Sequence, residues 1–549
     1  MKKEKKKDQD EVPQARPALD PLMKNHTYKF SFLFWLLLCV FLKGVVWSWF
    51  VPIWHFPDEQ AHFAQIATYV ETGKMPPHPD LVSGNLSEEL LLSERLLGTE
   101  RDGFGNNKFT YHPEYNLEYT DGLIGIHEEE IARAPLSYRQ TMVKYEAASY
   151  PPLYYWVMSF PYKIVYSADI FTRIFIVRIA NLGFFLALVG ISWLFFKELF
   201  SKDEILVNCA TVLVAFHPML TFVSSGVTSD NLYNLLFTLG IYVAFKLLST
   251  SFNLKIIIFM LLILILNLKT KPQGILLLYV YAFPLLVLII QGKIAKKYIA
   301  LGIVISMYVG LRLYNDMSQG KQVLPDVRAV NPEKPDLSFM EHLKWSVEHS
   351  LAKIVPWYWG VFKWLGVVLP RFANRAINRV MVLALVGILI GLFSLIRKKK
   401  FKALIRWLFP LYIAGGYFMI LTIWDYFFTK SQGFSFGIQG RYFFPAITAH
   451  MGLLLWGITN LAPWPKLSSL LAKLLAIGMV LINLIAFYTV VGSYYDKGDL
   501  GVFFSQASQY KPGFAKSPSL ELSLSIYIIG LLYLLFLIVK LQREKNASN

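Results

Sequence analysis

Apolar residues in this chain do not alternate, and they do not recur as a single stripe at helical spacing. They run continuously, in stretches with almost no charge, near 31–50, 175–196, 205–223, 231–248, 255–268, 275–290, 298–315, 378–396, 404–424, 442–460, 467–490 and 522–540. Most of these are long enough to cross about 30 Å of hydrocarbon as a helix. The pattern predicts an all-α polytopic membrane protein with about twelve crossings, in a range of eleven to fourteen. Continuous apolar runs exclude a transmembrane β-barrel, whose strands alternate. Two further segments are ambiguous: 152–168 is short and rich in Tyr and Pro, and 351–369 carries Lys353 and Lys363. Both read as interfacial or partly inserted helices.

Composition agrees with this class. Of 549 residues, 55% are hydrophobic and 17% charged, against about 25% charged in ordinary soluble domains. Disorder is excluded by the same numbers. The net charge of +17 suggests nucleic acid, but no recognition motif accompanies it, and in a membrane protein basic residues gather in cytoplasmic loops. Cys39 and Cys209 lie inside apolar spans, so a disulfide-built scaffold is excluded.

The basic loops set the expected topology. With neither ambiguous segment crossing, the loops holding Lys197/Lys202, Lys246/Lys255, Lys293/Lys296/Lys297, Arg397–Lys400 and Lys540/Arg543 all fall inside. Residues 1–29 then form a disordered basic cytoplasmic tail, 30–460 the main membrane domain, 461–541 the C-terminal helices with an external loop at 491–521, and 542–549 a second cytoplasmic tail. Residues 52–150 form a first external loop too long for a plain connector. The chain is expected in the plasma membrane with both termini cytoplasmic.

Candidate chemistry collects on the outer side of this arrangement. Directly after the first span comes His55-Phe56-Pro57-Asp58-Glu59-Gln60-Ala61-His62-Phe63. A helix starting near Pro57 places Asp58 and Glu59 at the membrane surface, where capping is the plain role and chemistry the alternative. Adjacent carboxylates at a hydrocarbon boundary are costly to desolvate. His55, Glu59 and His62 fall at i, i+4 and i+7 on one helix face, a spacing that permits a metal site; a divalent cation at Asp58, Glu59 and His62 is the other arrangement these residues allow, and none is expected. Tyr150-Pro151-Pro152-Leu153-Tyr154-Tyr155-Trp156 follows Glu146 and suits an interface. Asp230 ends a small-residue loop and fits a helix N-cap. Lys269 and Lys271 are placed outside, against the charge trend, which points to an anionic ligand or lipid headgroup. Arg441, in Gln439-Gly440-Arg441-Tyr442, stands at the mouth of an apolar span and favours a carboxylate or phosphate, with snorkelling as the plain role.

In order and side of membrane, over residues 30–450, these motifs resemble the GT-C superfamily of polytopic glycosyltransferases, which use polyprenyl-phosphate sugars. PDEQAHF resembles that group's acidic pair in the first external loop. SYPPLYYW is similar to the PPLYYW stretch of lipid A aminoarabinose transferases, and protein mannosyltransferases are a further likeness. PDEQAHF with QGRYFFP resembles an uncharacterised bacterial branch, domain of unknown function 2142. Two departures stand out. Tyr150 replaces a lysine before the proline pair, and the acidic pair is Asp-Glu with no DxD.

The resemblance implies an inverting transferase that moves a sugar from a polyprenyl-phosphate donor to a glycan, glycolipid or protein acceptor on the outer face. Asp58 and Glu59 are the implied catalytic residues, with Asp58 as base. Lys271 and Arg441 hold the donor phosphate, and His62, Glu146, Tyr150, Asp230 and Lys269 support them. No cofactor is required, and membrane lipids are the surroundings. The rival readings are a polymerase or ligase of lipid-linked glycans, for which Arg312 and Arg371 are further arginines, a flippase for a lipid-linked anion, and a non-catalytic scaffold.

Overall fold

The computed structural model describes residues 21–75, 84–102, 106–107, 109–112, 121–145, 150–201, 203–249, 253–294 and 338–542. The span expected at 298–315, Glu146, Arg312 and most of both expected tails lie outside these residues. Among the described residues the fold is helical, with two short antiparallel pairings, Leu86–Ser87 on Met142–Lys144 and Val361–Phe362 on Val367–Val368.

Nine described helices are long and apolar enough to cross a membrane: Phe32–Phe50, Ile170–Leu199, Asp230–Ser249, Pro272–Ile290, Arg371–Arg397, Phe401–Ser431, Gly440–Asn460, Pro465–Val491 and Ser519–Lys540. A tenth exists if the bent pair Glu204–Ala215 and Pro218–Ser225 is one span. The expected span at 255–268 is a helix of only 15 residues, Leu254–Leu268. The first helix extends back to Pro21, into the stretch expected as tail. Neither ambiguous segment is long enough to cross. Leu153–Ile164 has 12 residues, about 18 Å of helix, and within 351–369 the helical stretch that begins at Phe339 ends at Trp359 and gives way to the second strand pair, without the apolar length of a span.

The bend of 55° follows from His217-Pro218. Proline lacks an N–H and clashes with the preceding turn, freeing carbonyls that a membrane cannot hydrate. Polar side chains from other helices satisfy them. Lys43, fully buried in the first span, donates to Ala215 O and to Thr221 Oγ1 at 3.0 Å. Asn483 Nδ2 donates to Phe216 O and Thr221 Oγ1, both at 3.1 Å. The His217 ring accepts from Leu220 N–H and caps the second half. The break brings Gly226 against Phe56 and Val227 N–H onto Glu59, at the start of the segment after the first span.

Helix packing elsewhere uses small residues, as expected where lipid gives no hydrophobic drive. Arg371–Arg397 lies on Ile447–Asn460 at Gly387 and Gly457, where a Cβ on Gly387 would sit 1.8 Å from Gly457 O. The segment after the first span folds onto the bundle. Arg173, at 0% exposure, pairs with Glu89 of the Glu88–Leu96 helix and donates to Tyr162 Oη at 2.6 Å.

Candidate active site

The helix after the first span begins at Glu59, two residues later than the sequence suggests. Asp58 precedes it as the N-cap residue with φ of 55°, left-handed, and makes no capping hydrogen bond. Asp tolerates that conformation better than most residues. Its carboxylate is instead held between two guanidinium groups. Arg101 Nη2 lies 3.0 Å from Oδ1, and Arg441 Nη2, from 383 residues further along the chain, 2.7 Å from Oδ2. The Asp58 side chain keeps 33% of its exposure, while the arginines keep 5% and 9%. Partial burial pushes the Asp58 carboxyl up, but Arg441 and Arg101 outweigh it and hold it well below the usual carboxylate range.

Glu59 has a different environment, although it is the next residue. It is fully buried on Arg178 of the Ile170–Leu199 helix, with Nε to Oε1 at 2.8 Å and Nη2 to Oε2 at 2.5 Å. Trp54 N–H and Val227 N–H supply two more bonds to it, at 3.0 and 3.2 Å. Arg178 is saturated in turn by the carbonyls of Ser48, Val51 and Pro52. Expected beside Asp58 in the chemistry, Glu59 is sealed away from it. It ties together the end of the first span, the loop and the bent pair.

The second ion pair is Asp230 with Lys271. Asp230 is the first residue of its helix and directs its carboxylate across to Lys271, so the expected capping role is not the one taken. Burial opposes the Lys271 charge, yet Asp230 and Tyr150 raise its pKa above the ordinary lysine value. The Lys271 ammonium stands 4.9 Å from the Tyr150 ring. Tyr150 stacks on His62 at 5.6 Å, and His62 Nδ1 lies 2.9 Å from Tyr155 Oη. Burial, with Lys271 adding, pushes His62 down to about 3, so the ring is neutral at ordinary pH. Lys269 is exposed, and its backbone carbonyl accepts from Leu153 N–H at 3.0 Å, fastening the PPLYYW stretch to the Lys271 turn.

The structure thus gathers Asp58, His62, Tyr150, Asp230, Lys271 and Arg441 at one end of the bundle. Three cations, Arg101, Arg441 and Lys271, face two carboxylates, Asp58 and Asp230. All three cations have low exposure, a setting where charge acts strongly. His55, Glu59 and His62 do not converge. His55 packs between Phe109 and Tyr494, and among the described residues no three His, Cys, Asp or Glu side chains form a metal-holding group.

Sequence reasoning missed three residues. Arg101 sits between Glu100 and Asp102 in a polar loop and carries no signal. Arg178 had one, being a charge inside an apolar span. Trp364 lies in the ambiguous 351–369 segment, where Lys363, Trp364 and Leu365 all have positive φ, 49°, 49° and 67°. Such backbone costs of order 1–3 kcal/mol per residue and clusters at functional sites. The Trp364 ring supports Arg101 at 5.4 Å, and its indole N–H donates to Trp54 O at 3.0 Å.

A family model described as "Predicted membrane protein (DUF2142)" matches residues 41–449. No curated protein matches the sequence. In structure the chain is similar to ArnT from Cupriavidus metallidurans in the apo state, at 14% identity and a TM-score of 0.36, covering 90% of this chain and 76% of that one. It is similar to the archaeal oligosaccharyltransferase AglB from Archaeoglobus fulgidus in complex with an inhibitory peptide and a dolichol-phosphate, at 11% identity and 0.46, covering 92% and 60%. The Archaeoglobus fulgidus oligosaccharyltransferase in the apo form stands at 11% and 0.42, covering 90% and 59%. This chain spans about three-fifths of the two archaeal chains. It belongs to the DUF2142 family of membrane proteins.

Proposed function

We propose that this DUF2142 member is an inverting glycosyltransferase that takes a sugar from a polyprenyl-phosphate donor and passes it to a hydroxyl on the outer face of the membrane. The observation that carries the reading is the Asp58 carboxylate, one-third exposed and facing Arg441, with the Lys271–Asp230 pair beside it. A base and a set of phosphate-seeking cations share one end of an apolar bundle. The ordered motifs that resemble the GT-C group support the same reading.

In this mechanism the donor enters sideways from the bilayer, and Lys271 and Arg441 hold its phosphate. The acceptor oxygen attacks the anomeric carbon, and its proton goes to Asp58. The bond from the anomeric carbon to the phosphate oxygen breaks, and polyprenyl phosphate leaves with the electron pair. Negative charge grows on the phosphate as the bond breaks, so fixed cations favour the transition state by a few kcal/mol per contact. Base catalysis contributes about 10²–10⁴-fold, and the apolar surroundings exclude water as a competing acceptor. Glu59 takes no part in proton transfer; its pair with Arg178 positions Asp58. No step calls for a metal.

The test uses purified protein in lipid nanodiscs given polyprenyl phosphates carrying radiolabelled hexoses and pentoses, with bacterial envelope glycans and glycolipids as acceptors. Labelled acceptor together with free polyprenyl phosphate is the expected product, lost in Asp58→Asn. Transfer undiminished in both Asp58→Asn and Lys271→Ala would sink the assignment. A polymerase or ligase acting on diphosphate-linked glycans is the second reading, favoured by the Arg101–Arg441 pair. Turnover of diphosphate-linked glycans, with none of the monophosphate sugars, would select it.

A further inference from the structure

Arg101 and Arg441 come from distant parts of the chain, yet their guanidinium groups meet on opposite oxygens of one carboxylate. Both are nearly buried, and the carboxylate between them is the exposed partner. Arg441 has spare capacity, since its buried Nε has no hydrogen-bond partner. Two converging guanidinium groups suit a tetrahedral oxyanion as well as a planar one. This geometry describes an anion site with a resident occupant.

We propose that the Arg101–Arg441 pair is a phosphate site for the lipid donor, that Asp58 fills it in the resting protein, and that the incoming phosphate displaces the Asp58 carboxylate. The inference rests on the reading above and adds Arg101 to the phosphate contacts. It also resolves a difficulty in that reading, because a carboxylate bonded to two arginines is a poor base, held below its ordinary basicity. Once a phosphate takes the arginines, the carboxylate is released and recovers affinity for the acceptor proton.

The charges set the direction of exchange. A phosphodiester donor carries one negative charge, as the carboxylate does, so the two compete on near-equal terms. The leaving phosphate monoester carries about −1.5 to −2, so the arginines favour it more as the bond breaks, which is preference for the transition state over the ground state. After transfer, Asp58 gives its proton to water, regains its charge and competes with the product for the arginines. The site is thus armed by donor and cleared by its own base.

The experiment is binding of radiolabelled polyprenyl phosphate to the full chain in nanodiscs at fixed ionic strength. Asp58→Asn removes the competitor and is expected to bind about ten-fold tighter than wild type, a gain of about 1.4 kcal/mol. Arg101→Gln is expected to bind at least ten-fold more weakly, and in the Arg101→Gln/Asp58→Asn double variant the gain from losing Asp58 shrinks. Equal or weaker binding by Asp58→Asn, with wild type binding normally, overturns the displacement and leaves the donor reading standing. Unchanged binding by Arg101→Gln removes Arg101 from the site. Absence of binding by both wild type and Asp58→Asn overturns the inference and the phosphate-donor reading together. Asp58→Ser carries the same expectation where the amide variant does not purify as a single species.

Discussion

Asp58 and Glu59 are neighbours in the chain, both carboxylates and both paired with arginine, and they occupy opposite environments. Glu59 is sealed, with four hydrogen bonds from Arg178, Trp54 and Val227. Asp58 is a third exposed, its carboxylate bonded by the guanidinium groups of Arg101 and Arg441. A left-handed residue at the helix start separates them, turning one side chain toward the core and the other toward the site. The comparison teaches that pairing alone does not make a group structural or catalytic. What decides is whether the partner set is closed to exchange.

The sharpest way to break the comparison is to neutralise each carboxylate in turn. Glu59→Gln leaves Arg178 buried without its counter-charge, and loss of about 3–5 kcal/mol of stability is expected, read as a large fall in unfolding midpoint and yield. Asp58→Asn is expected to keep the fold and to lose about 10²–10⁴-fold in transfer, read as polyprenyl phosphate release per folded molecule. If the two variants exchanged these outcomes, the assignment of roles would be reversed.

A smaller effect is expected at Gly226, which lies under Phe56. A Cβ there would meet Phe56 at 2.4 Å, so Gly226→Ala is expected to cost about 1–3 kcal/mol and to reduce transfer by shifting the Asp58 loop. Retained stability with lost activity would show that the loop moves without strain.

His62 sharpens the comparison through pH. Its folded pKa is about 3, below the unfolded value near 6.5. The unfolded chain therefore binds the proton first, and the stability owed to neutral His62 is complete above pH 6.5 and declines as pH falls from there toward 3. In His62→Gln the fall of unfolding midpoint between pH 6.5 and 4 is expected to be shallower than in wild type; an identical slope would remove His62 from the account. The smallest effect belongs to Lys269, whose exposed side chain lies outside both ion pairs. Lys269→Ala is expected to stay within about 0.5 kcal/mol of wild type and to keep full transfer.

Much of the frame was legible because continuous apolar runs have few solutions in a bilayer. Every expected span within the described residues corresponds to a helix, with 205–223 bent at His217-Pro218 and 255–268 shorter than a full crossing. The short reading of 152–168 is matched by the Leu153–Ile164 helix. The site was legible in part. Asp58, Asp230, Lys271 and Arg441 stand out because charge at a hydrocarbon boundary is costly and so conspicuous. Their pairing was not legible, and Asp58 and Asp230 both read as caps, a local role that tertiary partners override.

The sequence by itself determined the class of this protein, an all-α chain of many spans, and the set of polar residues that its membrane boundaries expose. Those properties depend on runs of neighbouring residues and on the cost of leaving backbone or charge in hydrocarbon. Only the tertiary structure decided that Arg101 and Arg441 share Asp58, that Arg178 takes Glu59, and that Trp364 supports Arg101. Each of these joins positions far apart in the chain. An ion pair is a matter of a few ångströms in space, and no local pattern records which distant cation the folded bundle brings within that reach.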